Sequence, residues 1–248
     1  MTLSDEYKRQ LPWRSWSDAM DALPPLAGKT VLDLGCSIGD QAALLAARGA
    51  RVIGVDGNEE LLATARARAI PNAEFRNGDI RELREVGVVD GIWCSFAAAY
   101  VPDLATTLAS WREHLNPGGW VALMEVDDLF AHEPVEAQTR SLLAAYAQDA
   151  LAANRYDFRM GRKLRGHLER AGFTIANSRT LIDKELCFDG PAGSDVMESW
   201  RSRLQRMRAL RDFCGSMFEQ VRDDLLAALA RAEHRSLAKV YYCVGMLP

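Results

Sequence analysis

The chain predicts an α/β fold: a doubly wound parallel sheet with added helices over one side. Three observations predict it. Short apolar runs alternate with helical periodicity from Lys29 onward. A glycine-bearing turn, Gly35 to Gly39, follows the first run directly. After Val126 the alternation gives way to long helical patterns, and an apolar run returns only at the end of the chain.

Taken in order, residues 5–23 read as irregular helix, interrupted by Pro12 and carrying Trp13 and Trp16 before Pro24-Pro25 breaks the chain. Residues 31–34 are a strand and 41–48 a helix stopped by Gly49. Residues 51–55 are a strand, and the side-chain oxygen of Asn58 can cap the helix 59–69. Strands at 73–75 and 89–94 follow, then a helix over 104–115 ended by Asn116-Pro117-Gly118-Gly119, then a strand over 120–126. Strands separated by helices in this way give a parallel sheet covered on both faces, wound by right-handed crossovers. Beyond it, 135–153 is a long helix, 163–171 a helix ended by Gly172, and 173–186 has strand character. Two helices, 195–213 and 216–232, precede a last strand over 239–245.

Composition narrows the function classes. The net charge of −4 and pI near 5.7 offer no general basis for binding nucleic acid. No apolar run approaches the roughly 20 residues of a membrane span, and the acidic start carries no apolar signal core. Cys36, Cys94, Cys187, Cys214 and Cys243 are scattered and form no CxxC pair or His/Cys cluster. Reduced cysteines, no metal site and a cytoplasmic location are the expectation.

Four segments fall at the carboxyl ends of predicted strands, where open α/β sheets bind ligands. The first is Val31-Leu32-Asp33-Leu34-Gly35-Cys36-Ser37-Ile38-Gly39-Asp40. Its glycines would let the backbone approach a cofactor with no Cβ in the way. The second is Val55-Asp56-Gly57-Asn58. A carboxylate about 20 residues after a glycine turn, at the next strand end, suits a ribose diol because it offers acceptors only. The third is Asn77-Gly78-Asp79-Ile80, and the fourth runs from Val89-Asp90 through Ser95-Phe96 to Tyr100-Val101-Pro102-Asp103.

Together with Leu115-Asn116-Pro117-Gly118-Gly119, these segments resemble class I S-adenosylmethionine-dependent methyltransferases of the small-molecule type, related to the ubiquinone biosynthesis enzymes. The resemblance covers residues 29–126. It implies a Rossmann-like seven-stranded sheet whose last strand inserts antiparallel beside the fifth. It also implies a division into an N-terminal helical segment over the cofactor (1–28), a cofactor-binding core (29–129), substrate-covering helices with the sixth strand (130–235) and the final core strand (236–248).

The cofactor implied is S-adenosyl-L-methionine. Asp33, Gly35, Ser37 and Gly39 would meet its methionine part and ribose, with Asp33 near the sulfonium. Asp56, Gly57 and Asn58 would hold the ribose. Asp79 and the backbone of Ile80 would read adenine, and Ser95 would stand at the fourth strand end. From the N-terminal segment Tyr7 and Arg14 would cover the site, Arg14 through its planar fork on the methionine carboxylate. Tyr100 occupies or adjoins a position that is usually histidine in this family. Ser37 replaces the middle glycine of the family's first motif. A position needing positive φ would be strained by serine, whereas a position needing only a small side chain accepts it; the second reading is adopted.

Catalytic candidates are Tyr100, together with Glu125 and His132 near the fifth strand's end, where Asp128 is also available. Acidic residues there could instead hold a cationic nitrogen or cap a helix. Arg201, Arg203, Arg206, Arg208 and Arg211 flank an apolar stripe of Trp200, Leu204, Met207 and Leu210, so most should lie on a solvated face. One or two could meet an anionic substrate. Arg162 is a similar case, and His114, His167 and His234 read as structural or exposed.

The expected reaction is methyl transfer to an O, N or C nucleophile of a small molecule, by a monomer or homodimer with no nucleic-acid or membrane partner. The alternative is a module that binds S-adenosylmethionine or S-adenosylhomocysteine without catalysis. A nicotinamide-dependent oxidoreductase fits less well, because Gly35-x-x-x-Gly39 lacks the G-x-G-x-x-G spacing. A nucleic-acid methyltransferase fits less well because the fourth segment reads Cys94-Ser95-Phe96-Ala97 rather than an Asn-Pro-Pro-Tyr type of tetrapeptide.

Overall fold

The computed structural model describes residues 2–83 and 86–248. Helices α1 (Leu3–Gln10) and α2 (Trp16–Met20) flank a 3-10 turn at Pro12. The core alternates β1 (Thr30–Leu34), α3 (Asp40–Ala47), β2 (Arg51–Asp56), α4 (Glu59–Ala67), β3 (Ala73–Asn77), β4 (Val89–Ser95), α5 (Leu104–Glu113) and β5 (Leu115–Asp127). Then come β6 (His132–Glu133), α6 (Ala137–Ala152), α7 (Leu164–Arg170), β7 (Thr174–Leu181), α8 (Ser194–Arg206), α9 (Arg208–Cys214), α10 (Phe218–Leu229), β8 (Arg235–Ser236) and β9 (Lys239–Met246).

The strand order is β3-β2-β1-β4-β5-β9-β7. The first five strands are parallel, and β9 runs antiparallel between β5 and β7. The expected seven-stranded, doubly wound sheet with its last strand beside the fifth is therefore present. Its order reverses between β1 and β4, which opens a crevice above their carboxyl ends.

Side-chain alternation along the strands divides the core into two layers. On β5, Ala122 and Met124 face one layer and Val121 and Leu123 the other. The first layer joins α3 to α6, α8, α9 and α10 through Leu45, Tyr146, Trp200, Leu210 and Leu225. The second holds α5 and α7 through Leu108, Trp111 and Leu164. The late helices thus share a core with the sheet.

Three features depart from the sequence pattern. The strand expected over 120–126 begins at Leu115, so Asn116-Pro117-Gly118-Gly119 lies within β5, where its register against β4 shifts between Val89 and Gly91. The single helix expected over 195–213 breaks at Met207 (φ −72°, ψ 69°) into α8 and α9. The two-residue strands β6 and β8 pair as a ribbon, with His132 opposite Ser236 and Glu133 opposite Arg235. No helix among the described residues is long and apolar enough to cross a membrane, and the five cysteines form no disulfide.

Candidate active site

A cavity of about 870 Å³ lies over the crevice between β1 and β4. Its floor consists of the loops after β1, β2, β3 and β4; its roof consists of α1, the segment around Arg14 and Trp16, and α8.

The loop after β1 is tied to β2, since the N–H groups of Gly35 and Cys36 both donate to Val55 O (2.8 and 3.2 Å). Gly35 has φ +77°, and a Cβ there would come within 2.7 Å of Ala97 Cβ. Glycine is therefore required for the β1 and β4 loops to meet. Ser37 has φ +49°, which corrects the expectation that its position demands only a small side chain. The left-handed backbone costs an L-residue about 1–2 kcal/mol. The strain is offset locally: Ser37 N–H donates to Asp56 Oδ2 at 2.9 Å. The Ser37 hydroxyl is buried and has no partner among the described residues.

Asp56 accepts a second bond, from Asn58 N–H to Oδ1 at 2.8 Å. Asn58 in turn caps α4, accepting from Glu60 and Leu61 N–H as its sequence position predicts. The Asp56 carboxylate is thus fixed from both sides, with one lone-pair site left on each oxygen. Asp79 receives Arg81 Nε at 2.9 Å on both oxygens, and these bonds hold its pKa below the ordinary value. Ser95 Oγ accepts from Trp16 Nε1 at 2.9 Å, which docks the N-terminal segment on the end of β4.

Tyr7, Arg14, Gly35, Ser37, Asp56, Gly57, Asn58, Asp79, Ile80, Ser95 and Tyr100 all line the cavity. Asp33, Gly39, Glu125 and His132 are not among its lining residues. Asp33 lies fully buried, and neither carboxylate oxygen has a hydrogen-bond partner among the described residues. Burial first, then the charge of Asp56, push its pKa up to about 8. Gly39 serves packing, since a Cβ there would stand 2.8 Å from the Phe75 ring.

Glu125 is also fully buried, and desolvation raises its pKa to about 7. His132 is removed from the site altogether. It stacks on His234 at the β6–β8 ribbon, with Nδ1 3.0 Å from His234 Nε2. Burial, followed by that neighbour's charge, lowers its pKa to about 3. His234, expected to be structural or exposed, is 1% exposed. Asp128 pairs with Arg159 and Arg162.

Arg14 does not present a free fork to the cavity. Its guanidinium binds Asp183 (2.8 and 2.9 Å), Glu185 (2.5 Å) and Gln10 (2.8 Å). Arg203 joins the same cluster through Glu185 at 2.7 Å, and Ser199 Oγ donates to the same carboxylate oxygen. Although burial opposes it, the two arginines hold Glu185 down to a pKa of about 2. Arg203 and Arg206 line the cavity, and Arg206 pairs with Glu6. These two arginines of the run expected to be mostly solvated therefore turn inward, because they sit on the side of α8 that faces α1. Tyr156, also in the lining, had no motif to mark it; an aromatic residue between a helix and a turn carries no periodic signal.

Comparisons with known proteins bear on the domain and its fold. Residues 31–119 match the family described as methyltransferase domain. A trans-aconitate 2-methyltransferase of Azoarcus sp. is 38% identical over 112 residues, 44% of this chain and 44% of that protein. A ubiquinone biosynthesis O-methyltransferase of Acinetobacter baumannii is 38% identical over 102 residues, 39% of this chain and 43% of that one. The matched region thus spans less than half the length of these curated relatives. An S-adenosylmethionine-dependent methyltransferase from Mesorhizobium loti superposes with a TM-score of 0.56 at 20% identity, covering 94% of this chain and 99% of that chain. Residues 31–119 therefore match a methyltransferase domain, and the chain shares the Rossmann-like fold of solved methyltransferases.

Proposed function

We propose that the chain transfers a methyl group from S-adenosyl-L-methionine to a small-molecule nucleophile. The observation that carries this reading is the Asp56 carboxylate. It stands at the β2 end beside the Gly35 loop, fixed by two backbone N–H groups, with one acceptor site left on each oxygen for a ribose diol. The unpartnered Ser37 hydroxyl and the Gly35 turn leave room and polarity for the methionine part. Asp79 and the backbone of Ile80 stand where adenine would lie.

When bound, the sulfonium supplies an activated methyl group. The protein's task is then to align donor and acceptor and to exclude water, and orientation of this kind can lower a barrier by several kcal/mol. Tyr7, Tyr100, Tyr156, Phe96, Leu129 and Leu186 also line the cavity and give it an apolar, aromatic face on which an acceptor would rest. The roof closes it through the Arg14–Asp183–Glu185–Arg203 cluster. A small, partly aromatic acceptor suits this lining better than a nucleic acid, and we place the reaction in the cytoplasm, by a monomer or homodimer.

Calorimetry with S-adenosylmethionine, S-adenosylhomocysteine and NAD tests the cofactor; binding of the first two alone is expected, and tight NAD binding overturns the reading. Incubating a metabolite extract with labelled methyl donor tests the reaction. Binding without any labelled product would favour the non-catalytic module.

A further inference from the structure

We propose that the methyl acceptor is a hydroxyl group and that its proton leaves through the Tyr156 phenol to the buried carboxylate of Glu125. This rests on the methyltransferase reading above and specifies the class of acceptor.

Glu125 cannot meet an acceptor itself. It is fully buried on β5 and absent from the cavity lining, whereas Tyr156 is part of that lining. The Tyr156 hydroxyl donates to Glu125 Oε1 at 3.4 Å, a long contact of the kind that tightens when a site fills. A phenol that donates its own hydrogen keeps its lone pairs as acceptors. Tyr156 can therefore receive one proton as it passes another on.

The carboxylate is otherwise held as a proton acceptor should be. Ala99 N–H donates to Oε2 at 3.2 Å and Val126 N–H to Oε1 at 3.0 Å. The groups that face it are few. Cys94 lies on β4, Tyr100 in the turn after β4, and Tyr156 and Asp157 before α7; Tyr241 on β9 stands opposite it in register. Asp157 is neutralised by Lys163 at 2.6 Å. Arg203 acts on the two tyrosines from α8. No cation among the described residues forms an ion pair with Glu125, so desolvation dominates and leaves it poised near neutrality, at about 7. Tyr156, by contrast, is pushed well above the ordinary phenol range by burial and by Glu125, and stays protonated at rest.

The step balances. The acceptor O–H bond breaks as its oxygen bonds to the methyl carbon and the carbon–sulfur bond breaks toward sulfur. The acceptor's proton goes to Tyr156 Oη, and the Tyr156 proton goes to Glu125 Oε1. The positive charge lost at sulfur thus ends as one proton on Glu125. An amine or a carboxylate that is already nucleophilic needs no such acceptor, which is why the geometry points to a hydroxyl.

Infrared titration of the chain alone, with no cofactor, tests the link. In the Asp33→Asn background, which removes the other carboxyl titrating near neutrality, a carboxyl titrating near 7 is expected and should vanish when Glu125→Gln is added. Tyr156→Phe should raise its midpoint, because a donor that favours the carboxylate is lost. Both variants should still bind S-adenosylhomocysteine, which shows that they fold. With labelled methyl donor and matched panels of phenols, alcohols and amines, products should come from hydroxyl compounds. The rate should rise through about pH 7 in the wild type, and Tyr156→Phe should lose at least about a hundredfold together with that pH limb. An unshifted carboxyl titration in Tyr156→Phe, an unchanged pH profile, or products from amines alone would overturn the relay. Failure of the wild type to bind S-adenosylhomocysteine would instead overturn the methyltransferase reading, and the infrared result would still decide the Tyr156–Glu125 link.

Discussion

The two halves of the cavity are built in opposite ways. The floor, where the cofactor would sit, is made of strand-end loops whose polar groups are backbone N–H donors and short carboxylates, such as Ser37 with Asp56 and Asp56 with Asn58. The roof is made of paired charged side chains, with Arg14 and its partners drawn from opposite ends of the chain. Arg14 meets Asp183 and Glu185, and Glu185 meets Arg203. One half is held by backbone N–H groups at the strand ends and the other by a buried charge cluster. Cofactor recognition can then stay fixed while the roof varies.

The two halves also respond to pH in opposite directions. Asp33 beneath the floor keeps its proton in the folded chain up to about 8 but would release it near 3.8 when unfolded. The folded state therefore binds more protons across that window, and its stability falls as pH rises. Glu185 in the roof is lowered from 4.5 to about 2. Its contribution is present above its unfolded pKa and is lost as pH falls toward 2.

The largest loss of stability is expected in the roof. Glu185→Ala leaves Arg14 and Arg203 short of a buried partner and should cost about 3–5 kcal/mol in a denaturant titration. A loss under about 1 kcal/mol would mean that water screens the cluster and that it does not hold the roof. Next comes Asp33→Asn, read in unfolding titrations from pH 4 to 9. It should remove a decline in stability of up to about 1.4 kcal/mol per pH unit, leaving the variant more stable than the wild type at the alkaline end. A wild type with no such slope would place Asp33 in contact with water. The smallest effect belongs to Ser37→Gly. Relief of the positive φ should stabilise the chain by about 1 kcal/mol, less the added flexibility of glycine in the unfolded state. A destabilised Ser37→Gly would show that the buried hydroxyl contributes more than the strain costs.

This contrast also explains what the sequence revealed. The sheet and the floor were legible because period-2 alternation, helix caps and glycine turns are local signals, and Asp56, Asn58 and Asp79 lie next to them. The φ of Ser37 was misjudged because a serine letter does not report the backbone under it. Glu125 and His132 were placed near the chemistry by their distance along the chain from a strand end. The β6–β8 ribbon turns His132 onto His234 instead, and strand alternation turns Glu125 into the core, where it touches the cavity lining through Tyr156. Tyr156 carried no motif, and Arg203 was offered only as one of five arginines, because their places depend on tertiary contacts with Glu125 and Glu185.

The central claim is that the Asp56 carboxylate anchors S-adenosylmethionine on the floor of this cavity. Calorimetric titration of S-adenosylhomocysteine into wild type and Asp56→Ala tests it most directly. The account predicts one site per chain, weakened at least about tenfold in the variant by loss of hydrogen bonds to a charged acceptor. Equal affinity in the two proteins, or no binding to the wild type, would contradict it.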